Sequence, residues 1–461
     1  MKTIVDPTHA LARGLAAIRS QFHIPGNFPP AVLAEAEAAA QRVPTQHADR
    51  TDMPFVTLDP ATSTDLDQAF SIDRDGPDLL LHYAIADVAW FVDDGGAIDQ
   101  EAWVRGASQY LPDGKSPLYP PSLSEQAASL LPDGPRPAVI FTVRVATDGC
   151  VKLDRAERAI IRSRAKLAYD SVRDSDLPPA FAELSARIEA ADDRRGASRV
   201  DPPEQEVHQV ASGDFELTYR PRLLSEDRNA ALSLACNLAV ADALLAHHTG
   251  LFRVMAPPDE HAIRRLRFTA RAFGLTWPEE EPLGQFQKNL SAAKPREAAF
   301  MLAVRRAGAG ASYAPYKPGV KPWHVAMAAT YAHATAPLRR LADRYVVRAS
   351  LAIANGQEVP DVVTDAFQRL PSVMAHADAL GGQVERAVLD LAEAVMLQAS
   401  DGQVYSAVVT DTDERGARMQ LCDQPVVARV AAHGVQPGDP ISVRLVSADA
   451  EKRLIQFERV A

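Results

Sequence analysis

Cysteine is nearly missing from this 461-residue chain: Cys150, Cys236 and Cys422 stand far apart and form no CxxC. That spacing excludes a cysteine zinc site and a disulfide framework, and it fits buried reduced thiols in a cytoplasmic protein. Long apolar runs are also lacking, since none approaches the roughly 20 residues of a membrane span. The start, Met1-Lys2-Thr3-Ile4-Val5-Asp6, has no long apolar region of the signal-peptide kind. Net positive charge is missing too, the formal balance being −11. Taken naively, this argues against a polyanionic partner. Affinity for phosphates depends on local charge, however, and a metal site on such a protein must itself be acidic. Cations do cluster locally: Lys152, Arg155, Arg158, Arg162, Arg164 and Lys166; Arg264, Arg265, Arg267 and Arg271; and Arg339, Arg340, Arg344 and Arg348. Any single one of them more commonly lies on a solvated face. No internal repeat or low-complexity linker occurs. Apolar content of 47% and charged content of 24% are those of a soluble globular chain with two to four domains.

What is present in concentrated form is acid. Residues 58–70 read LDPATSTDLDQAF, with Asp59, Asp65 and Asp67 inside nine residues and apolar runs on both sides. Asp59-Pro60 ends a strand-like run, because proline fixes its φ and cannot donate to a ladder. Asp65 and Asp67 are two apart, so in extended chain they point the same way. Carboxylates so close raise each other's pKa unless a cation lies between them. Oxygen-only ligands suit a hard divalent ion, most often Mg²⁺ where phosphates are handled. An acidic surface loop with aspartates as turn formers is the competing reading of these residues alone.

Further stretches follow in a fixed order: IADV at 85–88, EAWVRGASQYLP at 101–112, IRSRAKLAY at 161–169 and YAHATAPLRR at 331–340. Together with the aspartate loop they resemble the ribonuclease II family, 3′-to-5′ exoribonucleases with an RNB-type catalytic domain. The resemblance extends over residues 20–461 and is weakest at the ends. It implies an α+β fold: an RNB-type catalytic domain of mixed sheets and helices, then a small C-terminal OB-fold barrel that binds RNA.

The resemblance also implies roles. Asp59, Asp65 and Asp67 match the metal-liganding aspartates, Asp67 being the indispensable one that helps hold the ion activating water. Two divalent ions about 4 Å apart can activate water, neutralise phosphate and stabilise the leaving oxygen. Gln68 stands where the family's loop carries one more aspartate; its amide oxygen can accept a metal but brings no charge. Arg339 matches the catalytic arginine, whose guanidinium suits the scissile phosphate. Arg340 supports it or meets a neighbouring phosphate. Tyr110 matches the tyrosine that stacks on the 3′-terminal base, Tyr169 one that contacts RNA nearby, and Glu385 a glutamate near the terminal nucleotide. Outside such a block, an Arg-Arg pair reads as a salt-bridged helix start, Tyr110 as a core tyrosine and Glu385 as a helix-surface residue. Two further departures are Ala336, in place of a serine before the proline, and Ala230-Ala231, in place of a Glu-Glu pair that senses the ribose. A methyl group cannot accept from the 2′-hydroxyl that tells RNA from DNA. His333 and Thr335 read as packing and hydrogen-bonding residues.

Along the chain, residues 10–21 and 31–43 are alanine-rich with helical spacing, and Pro29-Pro30 starts the second run. A short helical segment over 1–50 is expected in place of the family's two cold-shock barrels, either a helix-turn-helix-like module or an arm packed on the catalytic domain. The catalytic domain is expected over 51–400, with strands at 79–92 and 138–145. Helices are expected at 232–246, at 262–273, through the 340s to Ile353, and at 384–398. Residues 171–222 are polar, and 192–196 reads as an exposed loop. From 401 to 461, short strands at 404–410, 417–421, 426–430, 441–445 and 454–457 predict an OB-type barrel. Its seven Lys/Arg against nine Asp/Glu, with Tyr405 and Phe457 as its aromatics, suit a channel-lining role more than tight independent binding.

The function so implied is processive hydrolysis of single-stranded RNA from its 3′ end to nucleoside 5′-monophosphates with Mg²⁺ or Mn²⁺. A cytoplasmic monomer is expected, with no membrane and no obligate protein partner. A catalytically weakened RNA-binding member, motivated by Gln68 and the two alanines, is the alternative. A metal-stabilised scaffold is a third reading and leaves the Arg339 block unexplained.

Overall fold

Alternating apolar residues over 68–86 and 136–161 build the sheet that carries the acidic loop. In this computed structural model the sheet has five strands, ordered Ala48–Asp49, Val151–Ile161, Arg136–Val145, Asp78–Ala86 and Gln68–Asp75. The structure describes residues 2–4, 9–197, 204–209, 215–220, 222–291, 294–308, 310–398, 400–413, 416–422, 424 and 426–460. The long strands pair antiparallel, and the two-residue strand joins the edge in parallel. Phe70, Tyr83, Phe141 and Leu81 from this sheet are fully buried in the largest core. The expected strand at 79–92 stops at Ala86, and Val88–Phe91 turns helical.

Against the sheet lies the helix Leu224–Ala246, which starts earlier than its apolar run suggests. Among the described residues it is the one helix long and apolar enough to cross a membrane, and 67% of its apolar window is buried inside the molecule. Apolar on nearly every side, it is the central core helix. Leu341–Ala354 packs beside it.

A second organising element is the 37-residue helix Asp361–Leu397, of which the sequence suggested only the last third. Pro371 lies inside it and removes one backbone donor, which obscures the helical pattern without ending it. Its C-terminal half holds the N-terminal helix Ala10–Gln21: Leu11, Leu15 and Ile18 share a core with Val384, Val388 and Leu391. Gly14 permits the approach, since a Cβ there would lie 2.5 Å from Leu391 Cδ1. The second helix, Pro30–Ala40, packs into the main core through Val32, Ala36 and Ala39. The N-terminal segment is therefore a packing arm. Its strand Lys2–Ile4 pairs with Phe215–Arg220, a contact the sequence did not suggest.

The expected loop at 192–196 is a correction. Asp192 to Arg195 form the last turn of the helix Phe181–Arg195, and Gly196 ends it in the left-handed conformation. The polar composition belongs to an amphipathic helix whose Phe181, Leu184 and Ile188 face the core.

The C-terminal strands Val404–Asp413, Gly416–Leu421, Val427–Ala431, Pro440–Asp449 and Leu454–Val460 close a five-stranded barrel. The first strand pairs with the second and fourth, and the third meets the fifth in parallel. Closure removes the sheet edges. The α+β class and the terminal OB-type barrel are both as expected.

Candidate active site

The acidic loop leaves one strand and enters another. Asp59 ends the strand Thr57–Asp59, which pairs in parallel with Lys166–Ala168, and Gln68 opens the edge strand of the main sheet. The Lys166 ammonium donates to the Ala61 carbonyl at 2.8 Å and pins the turn between them. Leu66 N donates to Ser129 Oγ at 2.9 Å, so the loop is held from both sides.

Asp67 is 6% exposed. Its Oδ1 accepts from Leu338 N at 2.7 Å, and its Oδ2 lies 3.5 Å from Arg339 Nε. This joins the aspartate loop to the 331–340 block, 271 residues on. Burial pushes the Asp67 carboxyl up to about 8, against the pull of Arg339. Burial likewise pushes Asp59 up to about 7, with Arg339 and Lys166 opposing and Asp65 adding to the rise. Asp65 is committed elsewhere: its Oδ1 meets Lys115 Nζ at 2.8 Å and its Oδ2 accepts from Tyr110 OH at 3.0 Å.

The arginines divide by exposure. Arg340 makes a two-pronged pair with the buried Asp343, at 2.9 and 2.8 Å, and Asp343 also accepts from Ala336 N at 2.8 Å. Arg344 is buried on Asp99, and Arg348 is forked on Asp94 at 2.6 and 2.8 Å. Arg339, with 44% of its side chain exposed, is the member of this cluster that presents its guanidinium outward, beside Asp67. Of the two roles expected for Arg340, the geometry has it supporting the loop.

Both ends of the Gln68 amide are hydrogen-bonded. Its Nε2 donates to Thr335 O at 2.6 Å, and its Oε1 accepts from Tyr83 OH at 2.6 Å and from Ser233 Oγ at 3.3 Å. The core helix forms the back wall. Asn229 donates to Tyr169 OH at 2.9 Å and to Leu58 O at 3.2 Å, and Asn237 Oδ1 accepts from Ala334 N at 2.9 Å. Ala230 and Ala231 lie between Asn229 and Ser233, so this turn offers an amide and a hydroxyl where carboxylates were sought. Tyr169 is half-buried, and burial together with Asp59 raises its hydroxyl to about 12. His333 is bonded to Tyr313 OH at 2.8 Å and held neutral by burial.

Tyr110 is 55% exposed on the hairpin of Gln109–Leu111 and Gly114–Ser116, a ring available for stacking. Glu385 is exposed on the long helix, one turn beyond Gly381, where Gln109 approaches it. Among the described residues, no hydrogen bond joins Glu385 to the other site residues. Sequence reasoning missed Lys115, Glu125, Tyr83 and Ser233.

No three His, Cys, Asp or Glu side chains among the described residues converge as a preformed metal cluster. The donor chemistry nonetheless fits one hard divalent ion. Asp67 is buried and Asp59 half-buried, both carboxylates are hard oxygen donors, and Asp67 Oδ2 has only the long Arg339 contact.

The RNB domain family model matches residues 47–355, and that of the RNase II-type exonuclease C-terminal S1 domain matches residues 403–460. The chain belongs to the RNB-domain family. It is similar to ribonuclease R of Aquifex aeolicus, 26% identical over 95% of this chain and 69% of that protein. Ribonuclease R of Chlamydia muridarum is 30% identical over 72% of this chain and 50% of its own length. The chain thus spans about half to two thirds of these relatives. The fold matches that of Mycoplasma genitalium RNase R in complex with ribose methylated single-stranded RNA, with a TM-score of 0.88 at 20% identity, covering 100% of this chain and 79% of that one. It also matches yeast Ssd1, a pseudonuclease, with a TM-score of 0.68 at 16% identity, covering 93% and 56%.

Proposed function

We propose that this chain is a 3′-to-5′ exoribonuclease that hydrolyses single-stranded RNA to nucleoside 5′-monophosphates, processively and with Mg²⁺ or Mn²⁺. The observation that carries the reading is the exposed guanidinium of Arg339 beside the buried Asp67, on a loop that the Leu338 N–H ties to the same carboxylate. A planar fork of donors next to a carboxylate suits a scissile phosphate whose charge grows in the transition state. A divalent ion bound by Asp59 and Asp67 would supply the activated water and neutralise the phosphate. Arg340 and Asp343 fix the backbone from which Arg339 projects. Tyr110 offers its ring to the terminal base, and its hydroxyl fixes Asp65. The relatives' names, and the RNA in the matched Mycoplasma structure, support this reading.

The test follows a 5′-labelled single-stranded RNA with Mg²⁺ on a denaturing gel, comparing wild type with Asp67→Asn. A ladder shortening from the 3′ end, and abolished in the variant, is expected. Binding without cleavage by wild type would favour the second reading, an RNA-binding member of the family. The observation behind that reading is the commitment of Gln68 Oε1 to Tyr83 and Ser233, which withholds it from an ion.

A further inference from the structure

Lys115 is the cation already resident at the acidic loop. It stands opposite Tyr110 in the hairpin register, so the two side chains share a face, and each takes one oxygen of Asp65. Its ammonium sits in a built socket: Asp65 Oδ1 at 2.8 Å, Glu125 Oε1 at 3.1 Å and Thr64 Oγ1 at 3.4 Å. Glu125 is fixed in turn, accepting from Thr64 Oγ1 at 3.0 Å. Three partners match the three donors of an ammonium. The Lys115 and Asp65 side chains are 20% and 11% exposed, so this is not a solvated surface pair.

On the other side of Asp67, Gln68 brings no charge, and its oxygen is taken by Tyr83 and Ser233. The two acidic-loop positions beyond Asp59 and Asp67 are therefore both satisfied without a metal. We propose that Lys115 is a positioning residue that supplies, through Asp65, the positive charge a second ion would bring, so that this site takes a single divalent ion held by Asp59 and Asp67. The proposal rests on the nuclease reading above, in which those two carboxylates hold the ion. It also fits a glutamine at position 68: the loop carries three carboxylates, one of which is held by a fixed cation.

The test counts Mn²⁺ bound per chain by electron paramagnetic resonance, using the full chain as wild type, Lys115→Met, Lys115→Arg, Asp65→Asn and Asp67→Asn. Circular dichroism melts establish that each variant is folded. One Mn²⁺ is expected in wild type, Lys115→Arg and Asp65→Asn, two in Lys115→Met, and none in Asp67→Asn. Any wild-type count other than one overturns the proposal, as does a count of one in Lys115→Met. The labelled-RNA gel runs beside it. A missing ladder with the expected counts sinks the nuclease reading and leaves Lys115's role standing; a normal ladder with the wrong counts does the opposite.

Discussion

Arg339 offers a planar fork of donors where a lysine would offer one mobile point charge. Its neighbours Arg340, Arg344 and Arg348 are committed to Asp343, Asp99 and Asp94, so none is free to substitute for it. Arg339→Lys should therefore lower kcat on single-stranded RNA by roughly 10²–10³-fold, the loss typical of one transition-state donor, with a much smaller change in KM. Steady-state kinetics on a short RNA checks this, and a variant that lost only KM would assign Arg339 to ground-state binding. At this scale the sequence was legible where chemistry is contiguous, as in the aspartate loop and the block ending at Arg340. It was opaque where a partner arrives from far away. Gln68 is bonded by Tyr83 and Ser233, 15 and 165 positions on, and nothing local marks either as its partner. Lys115 was equally hidden, because a lone lysine on a short hairpin strand is ordinarily solvated.

Elements are held around the site by a few buried polar joints. Asp99, on the helix Ala97–Arg105, is buried against Arg344 of Leu341–Ala354, and Arg344 also reaches Tyr345 OH at 2.7 Å. Removing one partner leaves the other charged and uncompensated, so Asp99→Ala should cost about 3–5 kcal/mol in urea unfolding. Asp99→Ala combined with Arg344→Met should recover much of that loss. A second joint is Glu393 on the long helix, 4% exposed, whose Oε1 accepts from Gln205 Nε2 at 2.7 Å and from Val427 N at 3.0 Å. Burial pushes its carboxyl up to about 7 from an ordinary 4.5, against the pull of those donors. The folded state thus binds this proton more tightly than the unfolded chain does. The associated stability is complete below about pH 4.5 and is lost as pH rises towards 7. Glu393→Gln should raise Tm at pH 8 and leave it nearly unchanged near pH 4.5, as read by thermal melts at the two pH values. These joints were not legible either. Helices could be read from apolar spacing, as for Ala10–Gln21, but charge disguised Phe181–Arg195 and Pro371 disguised most of Asp361–Leu397.

Across the whole molecule, that long helix contributes to each of the three largest apolar cores. Met374 belongs to the main core, Leu391 to the core with the N-terminal arm, and Leu397 to the core of the barrel. Separate melting of catalytic block and barrel is therefore disfavoured, and scanning calorimetry should show one dominant transition, whereas two well-separated peaks would contradict it. The order of parts was legible because each has its own period: helical spacing before residue 50, mixed spacing to about 400, and close-set strands after it. Their fusion was not legible, since a residue such as Leu397 looks like the end of one element while it fills the interior of the next.

Fusion of this kind bears on how such a chain can change over time. A barrel that borrows a core side chain from the preceding helix cannot be exchanged as a cassette at the boundary its strands suggest. A foreign barrel spliced in after Leu397 would have to accept that leucine in its own interior, and one spliced in before it would have to bring a replacement. A crossover that carries the helix's last turns together with the barrel would keep that core intact.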